Sequence, residues 1–282
     1  MNYVLVTGGN GQLASCLKDL SKNLQGYKFI FTDVEELDIA KSVDVDTFFK
    51  KNNIVYCINC AAYTAVDKAE SEKEIAKKVN ESGPRNLADA CHKYKATLIH
   101  ISTDFVFSGN QSNLYTEEDS THPINFYGIS KLDGEKAVIS LEKHIIIRTS
   151  WLYSEYGHNF LKTMLRLGKE KETLSVVCDQ IGTPTYAGDL AMTIVKMISS
   201  QFNKYGVYHY SNEGVASWYD FAKAIFDETQ TNVKLFPISS EAYPTPAKRP
   251  AFSVMDKSKI KNALDIEISY WRDSLKECLE KI

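Results

Sequence analysis

Tyr127 and Lys131 stand four residues apart in Tyr127-Gly128-Ile129-Ser130-Lys131. On a helix that spacing puts a phenol and an ammonium on one face. The pair suits the reduction of a ketone. When a carbonyl carbon accepts a hydride, its oxygen becomes an alkoxide that must be given a proton. A free tyrosine ionises near a pKa of about 10, too high for easy exchange at neutral pH. A neighbouring ammonium, together with an oxidised nicotinamide ring, is expected to favour the phenolate and bring the tyrosine into a working range. Lys131 is also placed to hold the nicotinamide ribose. Thr103, in Ser102-Thr103-Asp104 at the end of an apolar run, is placed to hydrogen-bond the substrate oxygen beside Tyr127.

A Y-x-x-x-K arises often by chance, so its weight comes from what precedes it. Thr7-Gly8-Gly9-Asn10-Gly11-Gln12-Leu13-Ala14 follows the first apolar run and opens a helical pattern. Such a turn needs small residues, and the helix start offers free amides and the positive end of a dipole to a pyrophosphate. Gly8 takes the turn, Gly11 lets the backbone approach the phosphates, and Ala14 is small enough for helix–strand packing. The bland alternative is a glycine-rich turn with no ligand. Asp33 ends the second apolar run about 20 residues on, where an acid bonds the adenosine ribose. Its carboxylate would accept from a 2′-hydroxyl and repel a 2′-phosphate, favouring NADH over NADPH, unless it only caps the following turn. Asp38 and Ile39 either line the adenine pocket or start the next helix.

The elements that must hold these groups follow from hydrophobic spacing. Short apolar runs at Tyr3–Val6, Phe29–Phe31, Tyr56–Ile58, Leu98–Ile101 and Ile145–Ile147 read as buried strands. Between them, Gln12–Leu24, Val43–Lys50, Arg85–Tyr94 and Ser130–Leu141 read as helices. The expected fold is α/β, a Rossmann-like doubly wound parallel sheet with a smaller C-terminal substrate-binding lobe. Residues 1–151 are expected to bind the dinucleotide. Residues 152–282 are expected to form mainly the substrate lobe, with part of the chain returning to the first domain. Helical patterns continue at Phe160–Leu167, Asp189–Ile198 and Trp218–Phe226, while Pro237–Pro250 carries four prolines and is expected to form no regular element.

Composition narrows the partners. A net charge of −3 over 282 residues gives no electrostatic footprint for nucleic acid. The apolar runs are far shorter than the roughly 20 residues that cross a bilayer, and no secretory signal pattern is seen, so a cytoplasmic enzyme is expected. Cys57 and Cys60 form a C-x-x-C, but on a strand their thiols point to opposite faces and no second pair completes a metal site. Packing is the expected role of the six scattered cysteines.

Taken with the glycine loop and the Tyr127–Lys131 pair, further stretches give the chain its resemblance to the extended short-chain dehydrogenase/reductase family. They are NGQLA (Asn10–Ala14), CAAYTAVDKAE (Cys60–Glu70), ISTDFVFSG (Ile101–Gly109), PINFYGISKLDGE (Pro123–Glu135), RTSWLY (Arg148–Tyr153), NFLKTMLRLGKE (Asn159–Glu170), DQIGTPTYAGDLA (Asp179–Ala191) and PTPAKRP (Pro244–Pro250). These point to the branch that reduces dTDP-linked 4-keto-6-deoxy sugars. The resemblance implies NADPH or NADH as cofactor and reduction of dTDP-4-dehydro-6-deoxy-L-mannose to dTDP-L-rhamnose. It implies that Gly11, Gln12 and Leu13 touch the pyrophosphate and that Asp33, Asp38 and Ile39 surround the adenosine. Ala62, Tyr63 and Thr64 would lie beside the cofactor's middle section. Tyr127 and Lys131 would act as acid and ribose anchor, and Thr103, Asp104 and Trp151 would contact the sugar. Arg249 would reach the substrate's diphosphate, since guanidinium suits phosphate oxygens.

Some members hold magnesium between carboxylates at a homodimer interface, one of them two residues after the cradle. Here that position is Cys16, which counts against the same metal site. Rival readings are a sibling reductase making another dTDP-6-deoxyhexose, such as the talose epimer, and a non-catalytic regulatory subunit built on the same fold. An epimerase or dehydratase is disfavoured, because dehydratases of the superfamily carry an Asp-Glu pair after the threonine and Asp104-Phe105 lacks the glutamate.

Overall fold

The computed structural model describes residues 2–22 and 24–282. Each apolar run of the N-terminal half forms a strand: β1 (Asn2–Thr7), β2 (Tyr27–Thr32), β3 (Ile54–Asn59), β4 (Thr97–Thr103) and β5 (His144–Thr149). They join Gly206–His209 in one six-stranded sheet, ordered Gly206–His209, β5, β4, β3, β1, β2, with every pairing parallel. Because β1 sends its successor β2 to one side and meets β3 on the other, the order reverses at β1. A crevice opens there at the carboxyl ends of the strands, the place where doubly wound sheets bind ligands.

Alternate side chains along each strand serve opposite faces. Val4, Val6, Ile58, Ile99, Ile145 and Ile147 pack under α1 (Gln12–Ser21) and the helix Ala187–Ser199. Leu5, Cys57, Leu98 and Ile146 face α2 (Ser42–Lys51) and the helices Gly83–Tyr94 and Phe126–Ile139. Burying each such aliphatic side chain contributes roughly 1.5–3 kcal/mol, so the sheet is a rigid base for whatever its loops hold. Cys57 lies in the second of these layers and Cys60 packs against the first, and all six cysteines are free thiols.

After β5 the chain builds a second core around Tyr153, Leu161, Phe221, Ile225, Trp271 and Leu275. It draws on the helices Phe160–Glu170, Trp218–Glu228 and Trp271–Leu279 and on three small two-stranded pairings. Between these elements the chain crosses back, laying the helix Ala187–Ser199 against α1 and adding Gly206–His209 beside β5. No helix among the described residues is long and apolar enough to cross a membrane.

Most boundaries shift by a residue or two, and three differences from the sequence reading are larger. The helix expected over Gln12–Leu24 ends at Ser21, and Asn23 within that span lies outside the described residues. The helix expected from Ser130 starts four residues earlier, at Phe126, because the Asn125 side chain caps it by accepting from the Gly128 amide at 2.8 Å. Pro237 lies inside a strand, Lys234–Ile238, which pairs with Thr173–Val177 and has no second neighbour, where a missing N–H is tolerated. The short turn Ser240–Ala242 follows it, and only the remainder of the proline-bearing stretch is irregular.

Candidate active site

The glycine loop occupies the β1–β3 switch point. Gly8 has φ +66°, and a β-carbon there would lie 2.7 Å from Ala61 Cα, so the loop closes against the end of β3 only with glycine. The Gly11 amide donates to the Gly8 carbonyl at 3.0 Å, folding the turn onto itself. No side chain caps α1. Its first amides, those of Gln12 and Leu13, therefore lie uncapped at the positive end of the helix dipole, where an anion is favoured. The Leu13 side chain is buried in the core, which leaves its amide as the group available to a phosphate. This cradle fits a dinucleotide pyrophosphate.

Asp33 takes on a structural task here. One carboxylate oxygen accepts from the Asn10 amide at 3.0 Å and the other from Val34 at 2.8 Å, fastening the glycine loop to the end of β2. Asp38 accepts from the Ala40 amide at 3.0 Å, and Ile39 is buried against Gly83. Ala62, Tyr63 and Thr64 form the loop after β3, with Thr64 exposed.

Tyr127 and Lys131 lie one turn apart near the start of the helix Phe126–Ile139, and both are buried. The Lys131 ammonium donates to the Ile101 carbonyl of β4 at 2.7 Å. Thr103 ends β4, and its hydroxyl accepts from the Phe105 amide and donates to Asp104. The structure thus gathers Thr103, Asp104, Tyr127 and Lys131 at one sheet edge. Lys131 was expected to favour the phenolate together with an oxidised nicotinamide ring; around the phenol itself, burial dominates. Burial pushes Tyr127 up to about 12, the Asp104 carboxylate adds to this, and a hydrogen bond with Thr103 opposes it. The lysine is itself drawn down to about 8 by burial, with Glu135 and Cys60 opposing. Neighbouring charge was legible in the sequence, whereas the removal of water around both groups was not. Asp104 is raised to about 6 by burial, against hydrogen bonds from Ser253 and Thr103.

Several residues behind the pair escaped the sequence reading. Asn80 accepts from the Tyr63 amide at 2.8 Å and donates to the Tyr63 carbonyl and to Ser130 Oγ, each at 3.0 Å. One buried amide therefore joins the Ala62–Thr64 loop to the Tyr127 helix. It sits in a π-helical turn, Lys78–Ser82, a distortion often found at functional sites. Beneath the sheet edge, Thr7 donates to Asn59 at 2.7 Å and Asn59 meets His100 at 3.0 Å. Burial and the charge of Lys131 hold His100 well below its usual range, hence neutral. Glu135 and Arg148 form a buried ion pair at 2.8 Å.

The remaining predicted contacts join residues of the two halves. Trp151 stacks on Trp218. Arg249 is engaged by Asp67 through both terminal nitrogens, at 2.8 and 3.1 Å, and by Thr245 and the Ala247 carbonyl. These contacts dock the segment 245–250 against Asp67 in the helical turn Val66–Ala69, and the Asn125 cap donates to the Lys248 carbonyl at 2.7 Å. The magnesium position does not fit its residues. Burial, with the Glu155 and Asp19 carboxylates, pushes the Cys16 thiol up to about 12, and a protonated thiol is no ligand for an oxygen-seeking ion.

Comparison with known proteins agrees with this geometry. The family model described as RmlD substrate binding domain matches residues 1–282. A dTDP-4-dehydrorhamnose reductase of Aggregatibacter actinomycetemcomitans is 45% identical, with 98% of each chain covered. A crystal structure of a dTDP-4-dehydrorhamnose reductase from Clostridium acetobutylicum superposes with a TM-score of 0.95 at 42% identity, covering 99% of both chains. The Bacillus anthracis dTDP-4-dehydrorhamnose reductase, solved in complex with NADP, gives a TM-score of 0.94 at 41% identity, again over 99% of both.

Proposed function

The chain belongs to the RmlD substrate-binding-domain family, and from that premise we propose that it is an NADPH- or NADH-dependent dTDP-4-dehydrorhamnose reductase, converting dTDP-4-dehydro-6-deoxy-L-mannose to dTDP-L-rhamnose. The observation that carries the reading is a buried phenol, Tyr127, kept protonated beside Thr103 at the sheet edge where the glycine loop opens. Residues 1–151 are read as the dinucleotide half and 152–282 as mainly the sugar half.

Gly8, Gly11, Gln12 and Leu13 would hold the pyrophosphate, Asp33, Asp38 and Ile39 the adenosine, and Ala62, Tyr63 and Thr64 the middle of the dinucleotide. When bound, the cofactor supplies the hydride that adds to the 4-keto carbon. Thr103 orients the 4-oxygen by a hydrogen bond, and Asp104 and Trp151 fix the sugar ring. As negative charge grows on that oxygen, Tyr127 gives it the phenolic proton. The O–H bond at tyrosine breaks as the new one forms, leaving a phenolate. A donor must be protonated before it acts, and the buried phenol is; it gives the proton up more readily the closer its pKa comes to the working pH. The Lys131 ammonium, one turn away, stabilises the phenolate and anchors the nicotinamide ribose.

The test is the oxidation of NADPH or NADH by the purified protein, followed by absorbance, with dTDP-4-dehydro-6-deoxy-L-mannose supplied. Turnover giving a product with L-rhamnose stereochemistry by NMR supports the proposal. A talose product moves the chain to the sibling branch, and no turnover at saturating substrate overturns the enzymatic reading.

A further inference from the structure

Trp151 follows β5 at the carboxyl edge of the sheet, with φ +46°. That is the left-handed region, strained for a residue carrying a β-carbon, and such strain persists only where surrounding contacts hold it. Three contacts do so. The Thr185 amide donates to the Trp151 carbonyl at 3.2 Å. Gly182 admits the indole, since a β-carbon there would lie 2.7 Å from the ring. The third is Trp218, whose ring lies parallel to that of Trp151, with centroids 3.6 Å apart and planes 9° apart.

Trp218 is itself firmly held. It is the first residue of its helix, directly after Ser217, which forms a reciprocal cap with Asp220. Phe160 flanks it with centroids 4.7 Å apart, and Phe160 stacks on Phe221 at 5.4 Å. Phe221 is fully buried in the core of the second half. A file of four aromatic rings therefore runs from that core to the end of β5. Both indoles at its outer end are only partly buried. They keep some surface open to solvent instead of vanishing into the interior.

We infer that Trp218 is a positioning residue for the sugar site, holding Trp151 in its strained conformation so that the indole meets the keto-sugar in one fixed orientation. This rests on the reading of Trp151 as a sugar contact given under the proposed function. Stacked indoles couple their transitions, so the intact pair is visible as an exciton couplet in circular dichroism. In Trp218→Leu the couplet disappears, KM for the keto-sugar nucleotide rises roughly tenfold (~1.4 kcal/mol), and KM for NADPH stays within about twofold. Trp218→Phe also lacks the couplet but restores a flat ring, and its KM for the sugar rises only about threefold. A purely structural role would lower thermal stability without separating the two KM values. Loss of the couplet with an unchanged sugar KM overturns the inference, as does a wild type with no couplet. If Trp218→Leu does not fold, Trp218→Phe carries the test alone, an unchanged KM again overturning it. A wild type inert toward the keto-sugar sinks the reductase reading instead. Calorimetric titration with dTDP-L-rhamnose then decides the matter: weaker binding in Trp218→Leu supports the role of Trp218, and equal binding ends it.

Discussion

Arg148 grips Glu135 through two parallel contacts, Nη2 to Oε2 at 2.8 Å and Nε to Oε1 at 3.0 Å, with both side chains closed off from water. Ser102 adds a 2.5 Å hydrogen bond to the same carboxylate. His209 lies 3.5 Å from the guanidinium and is held neutral, its pKa drawn down to about 3 by burial and by Arg148. Glu135 follows Lys131 by one helical turn and helps the lysine keep its proton. Removing one partner strands a buried charge, so Glu135→Gln is expected to lose about 3–5 kcal/mol in urea unfolding. The double variant Glu135→Met with Arg148→Met should recover most of that loss, because paired apolar replacements avoid the orphaned ion.

Tyr127→Phe removes the proton donor and leaves the aromatic packing against Phe105, which meets the ring edge-on at 5.5 Å. General-acid catalysis contributes about 10²–10⁴-fold, so kcat should fall within that range while NADPH affinity by fluorescence titration stays near wild type. Turnover close to wild type would place the donor elsewhere.

The Lys131 ammonium is present below its folded pKa of about 8 and lost above it. The kcat/KM of the wild type is accordingly expected to decline as pH rises through about 8, while Tyr127, at about 12, remains a phenol. Stability runs the other way. The folded pKa lies below the unfolded value of about 10.4, so between these values the unfolded chain binds more protons, and the lysine's contribution to stability rises with pH. Lys131→Met should flatten that rise in denaturation curves collected across the window. A wild-type rate profile with no alkaline decline there would detach Lys131 from the reaction.

What the sequence disclosed is whatever is local or periodic. The strands show as apolar runs because both faces of the sheet are covered, and the glycine loop and the Tyr127–Lys131 pair are each contained in a few residues. Asn80, Glu135 and Arg148 gave no such sign. Each is a polar residue whose burial is justified only by partners distant along the chain, as when Asn80 reaches Ser130. The Trp151–Trp218 stack crosses between the halves and was equally hidden. The desolvation that raises Tyr127 was hidden for the same reason, since it belongs to the assembled fold.

Asn80→Ala deletes three hydrogen bonds at once and leaves the amide and carbonyl of Tyr63 without their partner. Unsatisfied groups of this kind cost about 1–3 kcal/mol. The loop that would face the cofactor is loosened with them. The expected result is a higher KM for NADPH together with lower thermal stability. Asn80→Asp should rescue part of the Tyr63 amide contact, since a carboxylate can accept from that N–H but cannot donate to the carbonyl. Equal KM values for NADPH in all three proteins would leave Asn80 with a purely structural task.

Arg249 was expected to bind the substrate's diphosphate, and its terminal nitrogens are instead occupied by Asp67, which lowers the aspartate's pKa and ties down the segment 245–250. The pair is partly exposed, with side-chain exposures of 23% and 40%, so its direct worth is at most about 1 kcal/mol. Two roles can be separated by mutating both ends. A guanidinium that only anchors the segment makes Asp67→Ala and Arg249→Ala equivalent. A guanidinium that also meets phosphate makes Arg249→Ala the more damaging, because Asp67→Ala leaves the cation free to bind. A diphosphate placed beside this arginine would compete with the Asp67 carboxylate for the guanidinium. The expected outcome is that Arg249→Ala raises KM for the dTDP-sugar about tenfold while Asp67→Ala changes it by less than about threefold. Matching increases in the two variants would reduce Arg249 to an anchor.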